Sequence, residues 1–247
     1  ASSIMSKKIA EGTDSLVLDV KVGSGAFMKD LDHARELATT MVELGSDAGV
    51  RTVALLTDMS TPLGLTVGNA LEVRESVEVL AGGGPQDVVD LTVALAREML
   101  DAAGRPDADP EEALRDGRAM DVWRRMVSAQ GGDPDAELPT APHTEEITAQ
   151  RDGVLTGLDA YGVGVASWRL GAGRARKEDP VQAVAGIEIH ARPGDRVRAG
   201  QPVLTLHTET PERFARAKET LADAITVESD AAAGEAGPVV LDRVAGG

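Results

Sequence analysis

The sequence predicts an α/β domain with a parallel or mixed sheet, followed by a smaller α+β domain. Strand-like and helix-like segments alternate over residues 1–130, which is the pattern of α/β proteins. Glycines and prolines then mark a linker, and short apolar runs separated by glycines follow it, as in strands joined by turns. We therefore expect the end of a helical region, an α/β domain, a linker and an α+β domain at residues 1–13, 14–130, 131–142 and 143–247.

The α/β domain is predicted to open with a helix end and two strands that flank a long helix. Residues 3–10 fit the last turns of a helix. Residues 16–22 and 52–56 are short apolar runs, as expected of buried parallel strands. Between these runs, apolar residues recur at helical spacing from Leu31 to a stop before Gly49.

Three further helices are predicted from the residues at their starts. Asn69 and Glu72 have the spacing of a capping box, in which two side chains satisfy backbone N–H groups of the first turn. Asp87 has the position of a cap for the next helix. Asp109 precedes Pro110, and proline is favoured at the first helical position.

The α+β domain is predicted mainly from short runs rich in valine, isoleucine and leucine. A helical segment over residues 211–227 interrupts them. The predicted strands are residues 147–149, 153–158, 163–170, 187–191, 203–207 and 239–244.

Composition excludes several classes of function. There are no cysteines, so disulfides, thiolate zinc sites and a cysteine nucleophile are excluded, and a cytoplasmic location is expected. The net charge of −16 argues against a general nucleic-acid binder, because the phosphate backbone would be repelled. No apolar run approaches the roughly 20 residues that cross a bilayer, so no membrane partner is expected.

A polar pair in the first helix is the most informative local feature. Ser3 and Lys7 are one helical turn apart and share a face, whereas Lys8 is rotated from Lys7 by about 100°. A hydroxyl beside an ammonium suits a ligand that offers both a ring N–H and a carbonyl oxygen. The alternative is that both lysines are solvated cations at a helix C-terminus, where the helix dipole favours them.

Three ordered motifs resemble thymidine and pyrimidine-nucleoside phosphorylases. The first is SIMSKKIAEG at residues 3–12, continued by LDVKVGSGAFM at residues 18–28. The second is LLTDM with PLG at residues 55–59 and 62–64, and the third is GNALEV at residues 68–73. The resemblance extends through the linker and the carboxy-terminal domain, so it covers essentially the whole chain.

The resemblance implies a helical domain, an α/β domain and a carboxy-terminal α+β domain, with substrate bound between the first two. It implies that inorganic phosphate cleaves the N-glycosidic bond of a pyrimidine nucleoside, with thymidine as the expected substrate and acceptance of uridine left open. The products are a free base and a pentose 1-phosphate. No organic cofactor is implied, and the complete enzyme is expected to form a homodimer.

The resemblance also assigns roles to individual residues. Ser3 and Lys7 match base-contacting positions, and Ile4 would pack beside the base. As the C–N bond breaks, negative charge develops on the pyrimidine, so the Lys7 ammonium is the expected catalytic group. Potassium is implied as a ligand of a second site, in which Leu63 and Thr66 offer backbone carbonyls and Glu75 offers a carboxylate. The alternative is that Glu75 is an exposed residue on the surface of its helix.

The chain also departs from the family pattern. The family's Lys-His-Ser segment, glycine-rich phosphate loop and base-contacting arginine have no match here, and none of the four histidines replaces them. Because the chain opens on Ala1 without a methionine, we expect a carboxy-terminal fragment that is inactive without its amino-terminal part.

A carrier or binding module is the alternative from another class. Residues 181–207 resemble the barrel-sandwich hairpins of lipoyl and biotinyl domains, which present a modified lysine at a hairpin tip. Lys177 is the nearest lysine, and its Ala-Arg-Lys-Glu context differs from that of a carrier lysine. A noncatalytic, folded remnant of a split enzyme is the other alternative.

Overall fold

The computed structural model describes residues 1–234 and 237–246. The helices are α1 Ser2–Ala10, α2 Leu31–Asp47, α3 Asn69–Leu80, α4 Gln86–Ala102, α5 Pro110–Arg115, α6 Arg118–Ala129, α7 Ala160–Ser167 and α8 Phe214–Leu221, with a π-helical turn at Trp168–Ala172 and a 3₁₀ turn at Pro211–Arg213. The strands are β1 Ser15–Val22, β2 Arg51–Asp58, β3 Thr66–Gly68, β4 His143–Thr148, β5 Gly153–Leu158, β6 Gly186–Ile189, β7 Arg196–Val197, β8 Pro202–Thr208, β9 Ile225–Glu228 and β10 Val240–Ala245. None of the described helices combines the length and apolar character that crossing a membrane requires.

The first sheet is mixed and has the order β1-β2-β10. β1 and β2 are parallel, from Ser15 opposite Arg51 to Val22 opposite Asp58, which confirms the two predicted strands. β2 is buried along six consecutive residues, as expected for a strand covered on both faces. α2 packs on this sheet through buried residues at the predicted helical spacing.

The carboxy-terminal strand returns to this first sheet. β10 runs antiparallel to β2, with Val244 opposite Ala54. The sequence predicted the strand itself, but the boundary at residue 143 placed it in the α+β domain. The correction has a simple cause, because strand propensity carries no information about a partner nearly 200 residues away.

The second half of the chain contains two antiparallel sheets with the orders β3-β6-β8-β4 and β7-β5-β9. Their shared core is mainly aliphatic and includes the fully buried residues Leu155, Leu170, Ile187 and Leu204. β3 comes from the first half of the sequence and forms an edge of the larger sheet by pairing with β6. The α/β part of the chain is therefore joined to the carboxy-terminal part by backbone hydrogen bonds.

Two predicted elements in this half are wrong. Residues 163–170 form α7 and the π-helical turn instead of a strand, because Asp159 caps a helix there by accepting a 2.7 Å hydrogen bond from Gly162 N–H. The predicted helix over residues 211–227 ends at Leu221, and β9 follows it as a partner of β5. Short apolar runs do not distinguish helix from strand by periodicity, and tertiary pairing decides between them.

The predicted helix starts are confirmed only in part. α5 begins at Pro110 as predicted, and Asp109 caps it by accepting a 2.9 Å hydrogen bond from Glu111 N–H. At α3 the N-cap is Gly68, whose N–H donates to Glu72, while the Asn69 side chain donates to two carbonyl groups of the carboxy-terminal part. Asp87 does not cap α4, and its contacts belong to the site described below.

Candidate functional site

The orientation of α1 is set by one buried side chain. Met5 is 1% exposed and belongs to the core that α2 forms with the first sheet. The approach to α2 is close, since a Cβ added at Gly45 would lie 3.3 Å from Met5 Cε. This contact fixes which face of α1 turns away from the sheet.

Ser3 and Lys7 lie on the face of α1 opposite Met5. At about 100° per residue, each is rotated by roughly 160° from Met5, and the two are about 40° apart. Both residues are exposed, and Ile4 beside them is 47% exposed. Lys8 is half-buried and its Nζ lies 3.2 Å from Glu11. The structure therefore brings Ser3, Ile4 and Lys7 to an open face and pairs Lys8 elsewhere.

The second group of predicted residues lies around the loop between β2 and β3. Glu75 on α3 is 8% exposed, and its Oε1 accepts a 2.7 Å hydrogen bond from Leu65 N–H. A Cβ at Gly64 would collide with Glu75 Oε2, so the backbone of the loop lies against the carboxylate. The alternative in which Glu75 is an exposed helix residue is wrong. The segment from Leu63 to Thr66, which ends on the first residue of β3, lies beside the Glu75 carboxylate, as the cation-site hypothesis requires.

The electrostatics of this group favour a cation. Burial raises the pKa of Glu75, the Leu65 N–H and the Thr66 hydroxyl lower it, and the nearby Asp87 and Glu72 carboxylates raise it further. Within the described residues Glu75 has no salt bridge. A buried carboxylate beside another carboxylate, without a protein cation of its own, is a chemically suitable ligand for a metal ion.

Thr66 adds oxygen atoms to the same place. Its Oγ1 is buried and makes no hydrogen bond of standard geometry among the described residues, although the hydroxyl is near enough to the Glu75 carboxylate to lower its pKa. In the β3–β6 ladder, Leu65 C=O accepts a 2.8 Å hydrogen bond from Ile189 N–H, so the backbone groups of the following residue point away from β6. Oxygen atoms that lack protein donors suit a hard monovalent cation.

Comparisons with known proteins cover both halves of the chain. Residues 2–120 match the Glycosyl transferase family, a/b domain, and residues 154–228 match the Pyrimidine nucleoside phosphorylase C-terminal domain. Thymidine phosphorylase of Mycobacterium tuberculosis is 56% identical over 244 residues, which are 99% of this chain and 57% of that protein. Pyrimidine-nucleoside phosphorylases of Staphylococcus epidermidis and Bacillus subtilis are 42% and 43% identical over 99% and 84% of this chain, and 58% and 50% of those proteins.

The chain belongs to the thymidine and pyrimidine-nucleoside phosphorylase family. It spans somewhat more than half the length of the first relatives that it matches. The residues of both predicted groups, on α1 and around Glu75, fall within the match to the family's a/b domain.

Sequence reasoning missed two residues next to the loop between β2 and β3. Arg192, in the loop between β6 and β7, forms an ion pair of 2.9 Å with Asp87 on α4. Both also contact the backbone of Gly64. Asp87 has the local signature of a helix cap, and nothing in the sequence around Arg192 indicates a partner 105 residues away. A cavity of about 530 Å³ lies beside them and includes Leu63 in its lining.

Other chemical groups lie outside both sites. A cavity of about 830 Å³ in the carboxy-terminal part, next to Trp168 and Arg213, contains none of the predicted site residues. His33 is exposed and 2.7 Å from Asp30, which raises the pKa of the imidazole. His190 Nε2 lies 2.7 Å from the Thr205 hydroxyl, a contact typical of a structural imidazole. In the described part of the chain, no group of three or more histidine and acidic side chains could hold a metal ion.

Proposed function

We propose that this chain forms part of an enzyme that cleaves pyrimidine nucleosides with inorganic phosphate, with thymidine as the first candidate substrate and uridine as the second. The products are the free base and a pentose 1-phosphate. The observation that carries the proposal is the exposed pair Ser3 and Lys7, held side by side on α1 by the buried Met5, in a chain that belongs to the phosphorylase family.

In the proposed reaction, the bond between the anomeric carbon and the base nitrogen breaks, and a phosphate oxygen bonds to the same carbon. The bonding electrons leave with the base as a pyrimidine anion. The Lys7 ammonium stabilises that charge more strongly as it develops than in the bound nucleoside, which is the requirement for catalysis. Ser3 orients the base by hydrogen bonding, and Ile4 packs against its ring.

The proposal extends to the cation site. Leu63 and Thr66 would contribute backbone carbonyls and Glu75 a carboxylate to a potassium ion. When bound, the ion supplies positive charge that fixes the loop and offsets the buried Glu75 carboxylate. The buried Thr66 Oγ1 near the Glu75 carboxylate and the raised pKa of Glu75 support this assignment.

The whole enzyme is proposed to be a cytoplasmic homodimer that uses no organic cofactor and has neither nucleic acid nor membrane as partner. Because no segment of this sequence matches the family's phosphate-binding residues, catalysis is proposed to require the counterpart of the relatives' remaining residues. We further propose that the two antiparallel sheets have the barrel-sandwich arrangement. Lys177 lies in an irregular segment before β6 rather than at a hairpin tip, which removes the basis for a carrier function.

The direct test is product analysis. A purified protein that contains this chain with the counterpart of the relatives' remaining residues is incubated with thymidine, with and without inorganic phosphate. The expected result is phosphate-dependent release of thymine with an equal amount of 2-deoxyribose 1-phosphate. Thymine release that does not depend on phosphate, or the absence of release, would contradict the proposal.

A further inference from the structure

Gly64 is held on both sides by one ion pair. Its N–H donates a 3.0 Å hydrogen bond to Asp87 Oδ2, and its carbonyl accepts a 2.6 Å hydrogen bond from Arg192 Nη2. The same Nη2 atom lies 2.9 and 3.1 Å from the two Asp87 carboxylate oxygens. Both backbone polar groups of this residue are therefore fixed by side chains from α4 and from the carboxy-terminal part of the chain.

The ion pair is more sheltered than most on this protein. The Arg192 and Asp87 side chains are 28% and 17% exposed. Ion pairs that are partly removed from water hold their geometry better than exposed ones and are screened less by salt. Arg192 is itself anchored, because its backbone N–H donates a 2.7 Å hydrogen bond to Asp195 Oδ2.

The residues on either side of this anchor are the proposed potassium ligands. Leu63 precedes Gly64 and Thr66 follows two residues later, while Leu65 N–H donates to Glu75. A loop that is pinned at its centre places both carbonyl groups at fixed positions relative to the carboxylate. Mutation of residues that orient metal ligands in this way typically weakens metal binding about 10–100-fold.

We propose that Arg192 is the positioning residue of the potassium site and that, through it, the carboxy-terminal part of the chain sets the cation affinity of the segment at residues 63–66. This inference rests on the potassium site of the proposed function. Arg192 contacts the carbonyl of Gly64 and the Asp87 carboxylate, and it touches none of the proposed ligands directly.

Charge and position give opposite expectations for this residue. Arg192 carries a positive charge close to a cation site, so by charge alone its removal would tighten potassium binding. By position, its removal frees the Gly64 carbonyl, leaves Asp87 unpaired and lets the loop move away from Glu75. Potassium binding then becomes weaker.

The experiment measures the rise of the melting temperature with KCl, at an ionic strength kept constant with choline chloride, in the protein that contains this chain. The variants are Arg192→Gln, Arg192→Lys, Glu75→Gln and Arg243→Gln. Arg243 is the matched control, since it pairs with Glu98 through bonds of 2.6 and 3.0 Å but lies on β10, away from the loop.

The expected result is that Arg192→Gln raises the half-saturating potassium concentration about tenfold or more. Arg192→Lys raises it less, Arg243→Gln leaves it unchanged, and Glu75→Gln abolishes the response. An unchanged or lower half-saturating concentration in Arg192→Gln overturns the positioning role while the potassium site stands. If the parent protein shows no potassium response, the site and the positioning role both fall. If Arg192→Gln does not fold, the half-saturating potassium concentration of Arg192→Lys tests the positioning role, because this variant alters the contact with Gly64 at constant charge. A raised concentration supports the role, and an unchanged one overturns it.

Discussion

The backbone N–H of Leu65 donates a 2.7 Å hydrogen bond to Glu75 Oε1, although Glu75 lies ten residues further along the chain. This bond joins α3 to the loop that precedes β3. It also explains how a carboxylate can be 8% exposed without a protein cation beside it. The carboxylate is retained in the interior by a backbone donor, and the remaining charge is available to a bound ion.

The first prediction concerns the pH dependence of stability without potassium. Burial raises the pKa of Glu75 above its ordinary value of 4.5, so the folded state holds this proton more tightly than the unfolded state does. The contribution of Glu75 to stability is therefore greatest below pH 4.5 and is lost as pH rises through the raised pKa. The Glu75→Gln variant should not lose stability in this way as pH rises, because glutamine does not ionise. Chemical denaturation in sodium-free and potassium-free buffer at a series of pH values measures the difference.

The second prediction follows from the same proton. Potassium requires the ionised carboxylate, so the potassium-induced rise in melting temperature should be larger at pH 7.5 than near pH 5, by linkage. Glu75→Gln should show little potassium response at either pH. Equal responses at both pH values in the parent protein would remove Glu75 from the set of ligands.

The third prediction concerns Gly64, whose φ is +74° and whose Cα faces the Glu75 carboxylate. Gly64→Ala combines backbone strain of about 1–3 kcal/mol with a collision against Glu75, so it should destabilise the protein and abolish the potassium response. Gly49→Ala is the matched control, since Gly49 has a φ of +76° and open space around the added Cβ. Gly49→Ala should lose only the stability that corresponds to backbone strain, and its potassium response should remain. The measurements are urea denaturation and melting temperature against KCl, and similar losses in both variants would contradict the contact with Glu75.

The fourth prediction concerns the anchor of α1. Met5→Ala should lower the free energy of unfolding by about 2–5 kcal/mol, because it leaves a cavity against α2. Ile4→Ala should change stability little, since Ile4 is 47% exposed. Urea denaturation gives both values. Equal effects of the two substitutions would mean that Met5 does not set the orientation of the helix.

The parts of the fold that the sequence predicts are those whose information is local. α2 has an amphipathic repeat and an Asp30 cap, and β2 is a continuous apolar run, so burial and geometry follow from neighbouring residues. The predictions for the segments that form α7 and β9 were wrong, because short apolar runs suit both helices and strands. β10 was placed with the wrong sheet, since its partner is determined only when the whole chain has folded.

The same distinction applies to the candidate sites. That Ser3 and Lys7 share one face of α1 follows from helical spacing alone. The resemblance to the family is what suggests a ligand for this face. The burial of Glu75 could not be predicted, because it depends on a loop that folds back over α3. The Arg192–Asp87 contact joins distant segments, and Asp87 has a cap-like position that points to a different structure.

The central claim is that Lys7 stabilises the departing base, and its most direct test is the contrast with its neighbour. Lys7 lies on the open face of α1, while Lys8 is half-buried and paired with Glu11. In the protein that contains this chain, kcat/KM for thymidine phosphorolysis is measured for Lys7→Ala and Lys8→Ala, with melting temperatures to show that both fold. Losing a donor aimed at developing charge should cost Lys7→Ala about a hundredfold or more, and Lys8→Ala should lose little. Small and equal effects of the two substitutions would contradict the account.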